Sequence, residues 1–145
     1  MVTVLAEMTS DPVRVLVVED EPDLLRLLVH ILGAAGFRVI QAYGAQDALR
    51  KIALHHPDLV VTDLAMPRMS GVELIERVKR DPSTHHIPCI AVTAYMWDQI
   101  ASSAHQVGCD GFVGKPFNAD KLLKEVAKFV PVPGRPRAAA AALAG

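Results

Sequence analysis

Four short apolar runs in this chain each stop on a residue that can do polar chemistry. Val13 to Val18 (VRVLVV) runs into Glu19-Asp20-Glu21, and Leu59-Val60-Val61 leads to Asp63. Pro88 to Val92 (PCIAV) ends on Thr93, and Asp110 to Gly114 (DGFVG) ends on Lys115. If these ends meet, several carboxylates lie within a few ångströms of one another, and their mutual repulsion calls for a cation. Oxygen donors with no neighbouring His or Cys favour a hard ion, and a few carboxylates with open positions suit Mg2+. Lys115 adds a positive charge that can pair with Asp63 at rest or with a bound oxyanion. A divalent cation, an ammonium and a hydroxyl such as that of Thr93 are what a transferring phosphoryl group requires. A carboxylate can act as the nucleophile and form an acyl phosphate. Asp63 is the candidate, because it lies centrally between the acidic pair and Thr93 with Lys115.

Each residue also has an ordinary structural role. The acids at 19–21 can cap a helix and favour its positive dipole end. Asp63 can be a turn aspartate, Thr93 a helix cap and Lys115 a solvated charge. It is the joint occurrence at four strand ends that argues for chemistry.

The elements that must position these residues follow one another regularly. After the strand at 13–18, Pro22 suits the first turn of a helix that runs to about Ala35 and stops at Gly36. Leu24, Leu27, Leu28, Ile31, Leu32 and Ala35 form its apolar stripe, with Leu25 and Val29 on the flank. Phe37 to Ile40 is a second strand and 45–55 a second helix, broken by Pro57. Ser70 to Glu73 has the S-x-x-E pattern of a capping box and opens a helix over 71–80. The fourth strand is followed by a weaker helix from about Trp97 to Val107, and the fifth by a helix capped by Asn118. Strand then helix, five times with short connections, predicts an α/β fold: a doubly wound parallel five-stranded sheet with helices on both faces. Right-handed crossovers leave few windings. The flavodoxin-like order 2-1-3-4-5 is a common one, adopted partly on the resemblance given below. It places the reactive ends of strands 1, 3, 4 and 5 side by side and leaves strand 2, which ends on Ile40-Gln41, at the far edge.

Composition excludes several classes. With 145 residues, 51% hydrophobic and 21% charged, the chain has the make-up of an ordinary globular domain. A net charge of −1 supplies no basic field for nucleic acid or membrane. Cys89 and Cys109 read as buried, reduced thiols rather than a disulfide framework or zinc site. The first twelve residues lack the features of a signal peptide, and no apolar run approaches the ~20 residues of a membrane span. The expected location is therefore cytoplasmic. Residues 1–12 are expected to form a flexible leader, and 131–145, rich in Pro then Ala, a disordered tail.

Over residues 13–130 the chain resembles a bacterial response-regulator receiver domain of the CheY-like family. The resemblance rests on Val15 to Glu21 (VLVVEDE), Asp63 with Met66-Pro67 and Gly71, Val92-Thr93-Ala94, and Phe112 with Lys115-Pro116-Phe117. It implies that Asp63 accepts a phosphoryl group from a phosphohistidine on a sensor histidine kinase or phosphotransfer protein. Asp20 and Asp63 would ligate Mg2+ directly, Glu19 through water and Ala65 through its backbone carbonyl. Lys115 would pair with the phosphoryl group and Thr93 would hydrogen-bond it. Movement of Thr93 would then let Phe112 rotate inward and remodel the face made by the fourth helix, fifth strand and fifth helix. A cis bond before Pro116 is also implied. Three departures stand out. Glu19 replaces the commoner Asp, Phe112 lacks the hydroxyl of a tyrosine, and Ala65 and Tyr95 flank the phosphoryl position, where they would tune its lifetime.

These readings combine into a stand-alone, phosphorylation-dependent switch that is a phosphoacceptor rather than an enzyme. No DNA-binding segment follows residue 130, so output would pass through an unidentified downstream protein, with the chain a monomer or weak homodimer. Pro22, Leu25 and Val29 are candidates for docking the kinase helices; harmless surface apolar residues are the alternative. Trp97 fits an output or dimer surface, or a partly buried core position. An aspartyl-phosphate phosphatase is disfavoured because the second acid it needs falls on Ala65. A degenerate receiver that binds partners without phosphorylation is the alternative function, and the complete set Glu19, Asp20, Asp63, Thr93 and Lys115 argues against it.

Overall fold

A computed structural model describes residues 12–94 and 98–133. Five strands, β1 (Arg14–Val18), β2 (Arg38–Ala42), β3 (Leu59–Thr62), β4 (Cys89–Thr93) and β5 (Gly111–Gly114), form one parallel sheet in the order β2-β1-β3-β4-β5. Five helices alternate with them: α1 (Pro22–Ala34), α2 (Ala45–His55), α3 (Gly71–Arg80), α4 (Gln99–Gln106) and α5 (Ala119–Val126). This is the doubly wound, flavodoxin-like winding.

The near-continuous apolar strands are explained by burial on both faces. Side chains alternate along a strand, so β1 sends Leu16 and Val18 to one core and Val15 and Val17 to the other. The first core is closed by α2, α3 and α4 through Ala48, Ile52, Leu74, Ile75, Val78 and Ala104. The second is closed by α1 and α5 through Leu25, Leu28, Leu32, Leu122, Leu123 and Val126.

Helix ends follow local chemistry. Asn118 Oδ1 accepts from Lys121 N at 2.9 Å to start α5, and Gly36 leaves α1 in the left-handed region at φ 100°. The helix expected from about Trp97 begins at Gln99, with Asp98 as its cap. Trp97 and Tyr95 lie outside the described residues.

Two expectations are corrected. Leu25 is no docking residue: it is 2% exposed and belongs to the α1–α5 core, whereas Leu27, placed in the inward stripe, is 45% exposed. Leucines surround this helix, so periodicity alone did not decide its rotation. The anchoring stripe is Leu25, Leu28 and Leu32. The second correction concerns the segment from residue 131, whose first residues dock. Val132 is buried beside Val130 in the α1–α5 core, and Pro133 lies so close to Gly36 that a Cβ there would stand 2.8 Å from it. The leader over 1–11 and the tail beyond 133 lie outside the described residues.

Both cysteines are free and buried. Burial pushes the Cys89 thiol up to about 12 and that of Cys109 to about 11, so neither is a reactive thiolate near neutrality. Among the described residues no helix is long and apolar enough to cross a membrane.

Candidate functional site

The strand register assembles the site. Val18 of β1 pairs with Thr62 of β3, so the residues that follow them, Glu19 and Asp63, emerge together at the carboxyl edge. Asp63 N donates to Val18 O at 3.1 Å and Glu19 N donates to Ala42 O at 3.1 Å, which fixes both backbones. On the other side Thr93 pairs with Gly114, and Lys115 N donates to Thr93 O at 2.9 Å. Carboxylates from β1 and β3, a hydroxyl from β4 and an ammonium from β5 thus share one edge.

The three consecutive acids divide into different roles. Glu19 turns inward and is 1% exposed, while Asp20 is exposed at the mouth of the site. Glu21 caps α1, its carboxylate accepting from Asp23 N at 3.1 Å and Leu24 N at 2.7 Å. The capping role considered for all three therefore holds for Glu21, and Glu19 and Asp20 are the two whose carboxylates, with Asp63, could hold a metal.

Carboxylate oxygens of Glu19, Asp20 and Asp63 all lie within 4.8 Å of one another. Lys115 Nζ reaches Asp63 Oδ2 at 3.2 Å and Glu19 Oε1 at 3.4 Å. Burial, opposed by the Glu21 backbone N–H and reinforced by the charge of Asp63, pushes the Glu19 carboxyl up to about 7. A buried acid crowded by two others, with one lysine to offset them, is an arrangement that a divalent cation relieves. The donors are all oxygens, as Mg2+ prefers, and the set fits that ion. Among the described residues no other group of three His, Cys, Asp or Glu meets this spacing.

The remaining expected residues take the following places. Ala65 N donates to Asp63 Oδ1 at 3.4 Å, so Ala65 lies directly beside the acid. Thr93 is fully buried at the end of β4. Phe112 is half-buried in β5, and the Lys115–Pro116 peptide is cis. Pro22 is exposed at the start of α1 and Val29 is half-buried.

The spacing of residues around Gly71 gives no physical reason for a glycine there. It opens α3 against the site: its N–H donates to Leu64 O at 2.9 Å, and a Cβ would stand 1.9 Å from Asp63 O. Only glycine allows the helix to start this close behind Asp63. A glycine straight after the Ser70 cap was the available signal.

Comparison with known proteins agrees with the geometry. The model of the response regulator receiver domain matches residues 15–127. The polar-differentiation response regulator DivK of Brucella ovis is 30% identical over 116 residues, 80% of this chain and 94% of that protein. DivK of Brucella anthropi is 29% identical over 119 residues, 82% of this chain and 97% of its own. Among solved structures, Vibrio cholerae chemotaxis protein CheY4 superposes with a TM-score of 0.79 at 28% identity, covering 83% of this chain and all of that one. A CheY-like receiver domain protein from Methanospirillum hungatei gives 0.76 at 28% identity, covering 81% and 93%. With its sheet order, its acidic cluster and these matches, the chain belongs to the response regulator receiver domain family.

Proposed function

We propose that Asp63 accepts a phosphoryl group from a phosphohistidine on a sensor histidine kinase or phosphotransfer protein, and that the resulting change is read by a protein partner. The observation that carries this reading is the cluster itself: three carboxylates with oxygens within 4.8 Å, and Lys115 Nζ 3.2 Å from Asp63. In the transfer an Asp63 oxygen forms a bond to phosphorus while the bond from phosphorus to the donor imidazole nitrogen breaks. Mg2+, held by Glu19, Asp20 and Asp63 with Ala65, would neutralise charge on the phosphoryl oxygens. Lys115 leaves Asp63 Oδ2 to pair with the incoming oxyanion. The Thr93 hydroxyl moves to hydrogen-bond it, and Phe112 rotates inward behind Thr93. Phe112 has no hydroxyl, so the switch works through the shape of the α4–β5–α5 face.

The cytoplasm, where the donor kinase domains reside, is the proposed location. Docking on α1 is assigned to Pro22, Leu27 and the half-buried Val29, with Leu27 taking the place of the buried Leu25.

Intact mass after incubation with Mg2+ and acetyl phosphate tests the reading. One phosphate should add to the wild type and none to Asp63→Ala. Absence of an adduct in the wild type, with a kinase supplied as well, would make the chain a phosphorylation-independent binding module. Rapid multiple turnover would make it an enzyme.

A further inference from the structure

The phenyl ring of Phe112 lies on the imidazole of His105, with centroids 4.2 Å apart and planes inclined at 35°. Phe112 is half-buried at the α4 side of β5, against the first core, while His105 is exposed on the last turn of α4. Beyond Phe112 the surface opens into a groove of about 330 Å³ bordered by Lys121 and Lys124 of α5. Among the described residues the His105 side chain makes no hydrogen bond or ion pair. Among the described residues its one ring contact is with Phe112, the residue whose position the switch must change.

We propose that His105 is a positioning residue that holds Phe112 in its half-buried place, so that inward rotation must first break this stack. The inference rests on the phosphoacceptor reading above and adds a regulator to it. Phe112 has no hydroxyl to anchor, so its resting position depends on packing alone, and the imidazole supplies a ring face on the open side. Offset or tilted aromatic pairs of this kind shift an equilibrium by about two- to tenfold. A ligand that favours the inward state binds less tightly by the fraction of molecules held outward. The stack therefore lowers the readiness of the resting chain to take the phosphoryl group and sets a threshold for the switch.

Fluorinated phenylalanine tests this directly. The chain has four phenylalanines, and the Phe112 resonance is the one lost in Phe112→Leu. Spectra are taken with and without Mg2+ and beryllofluoride, which imitates the phosphoryl group. In His105→Ala the resting Phe112 resonance should move toward the beryllofluoride position, and half-saturation should fall about two- to tenfold. His105→Phe, which keeps a ring face, should restore the wild-type behaviour. His105→Leu, which fills the space without a ring face, should behave like His105→Ala. His105 is an exposed helical residue, so its variants should fold like the wild type. An unchanged resonance and half-saturation in His105→Ala, or a His105→Phe chain that behaves like it, overturns the proposal. If beryllofluoride moves nothing in any chain and no phosphate adds to Asp63, it is the phosphoacceptor reading that falls. The resting spectra then decide for His105: a shift in His105→Ala reversed by His105→Phe upholds the stack, and identical spectra remove it.

Discussion

The Lys115 ammonium stands between two carboxylates, 3.2 Å from Asp63 Oδ2 and 3.4 Å from Glu19 Oε1, and so ties the end of β5 to the ends of β3 and β1. Among the described residues it is the one cation paired with the acids of this edge, partly buried at 23% side-chain exposure.

Lys115→Met should therefore affect both stability and chemistry. Removing one member of a buried pair leaves the other charge uncompensated, but Glu19 can take up a proton and relieve most of the penalty. The expected loss is roughly 1–2 kcal/mol near pH 7.5 by urea denaturation without Mg2+. Transfer to Asp63 from acetyl phosphate should fall at least tenfold, since the oxyanion loses its ammonium partner. An unchanged rate would remove Lys115 from the phosphoryl site.

Glu19 makes stability depend on pH. Its folded value of about 7 lies above the ordinary glutamate value of 4.5, so between these the folded state binds more protons than the unfolded state. Stability therefore falls as pH rises through this window, by on the order of 2–3 kcal/mol in total if no metal is present. Urea midpoints in EDTA from pH 5 to pH 8 should show the decline. Glu19→Gln should flatten it, and Mg2+ should restore stability at pH 8 in the wild type alone. A flat wild-type profile in EDTA would contradict the buried, crowded state of Glu19.

Gly71→Ala brings a methyl group to within 1.9 Å of Asp63 O and 2.8 Å of Leu64 Cα. Neither is a flexible side-chain tip, so the backbone behind Asp63 must shift. Overpacking of this kind should destabilise the fold by about 1–3 kcal/mol. Phosphorylation should slow further than the stability loss explains, and a wild-type rate in a folded Gly71→Ala chain would argue against backbone positioning of Asp63.

The two leucines of α1 should separate cleanly. Leu25→Ala empties a core position and should cost about 2–5 kcal/mol. Leu27→Ala, at an exposed position, should stay within about 0.5 kcal/mol of the wild type. Phosphotransfer from a kinase should nevertheless slow in Leu27→Ala, while phosphorylation by acetyl phosphate stays normal. Equal rates from both donors would take Leu27 out of the docking surface.

Ending the chain after Val130 rather than after Pro133 removes the buried Val132 and the Pro133 contact with Gly36. The shorter chain should lose about 1–3 kcal/mol by thermal or urea denaturation. Equal stability would mean that residues 131–133 add nothing to the α1–α5 core.

The readable parts of this protein were those in which several residues at matching positions point jointly to one reading. Apolar strands ending on Glu19, Asp63, Thr93 and Lys115 announced both the parallel sheet and its reactive edge. Leu25 and Leu27 were harder, because a helix with leucine on most sides can be rotated without changing its composition. The contacts of β1 and α5 decide which face turns inward. Val132 was hidden for a related reason: Pro131-Val132-Pro133 has no periodicity, and the burial of Val132 depends on a space in the α1–α5 core that the chain alone does not reveal.

The sequence by itself determined the alternation of strand and helix, the phosphoryl-type residue set and the candidate acid Asp63, because strand burial and strand-end chemistry are local and periodic; the order of the strands came partly from family resemblance. Only the tertiary structure decided which of three adjacent acids faces inward, how Lys115 bridges Glu19 and Asp63, why residue 71 must be glycine, and that His105 covers Phe112. These depend on the register of neighbouring strands and the close approach of helices far apart in the chain. Neither is written in the spacing of residues along a single element.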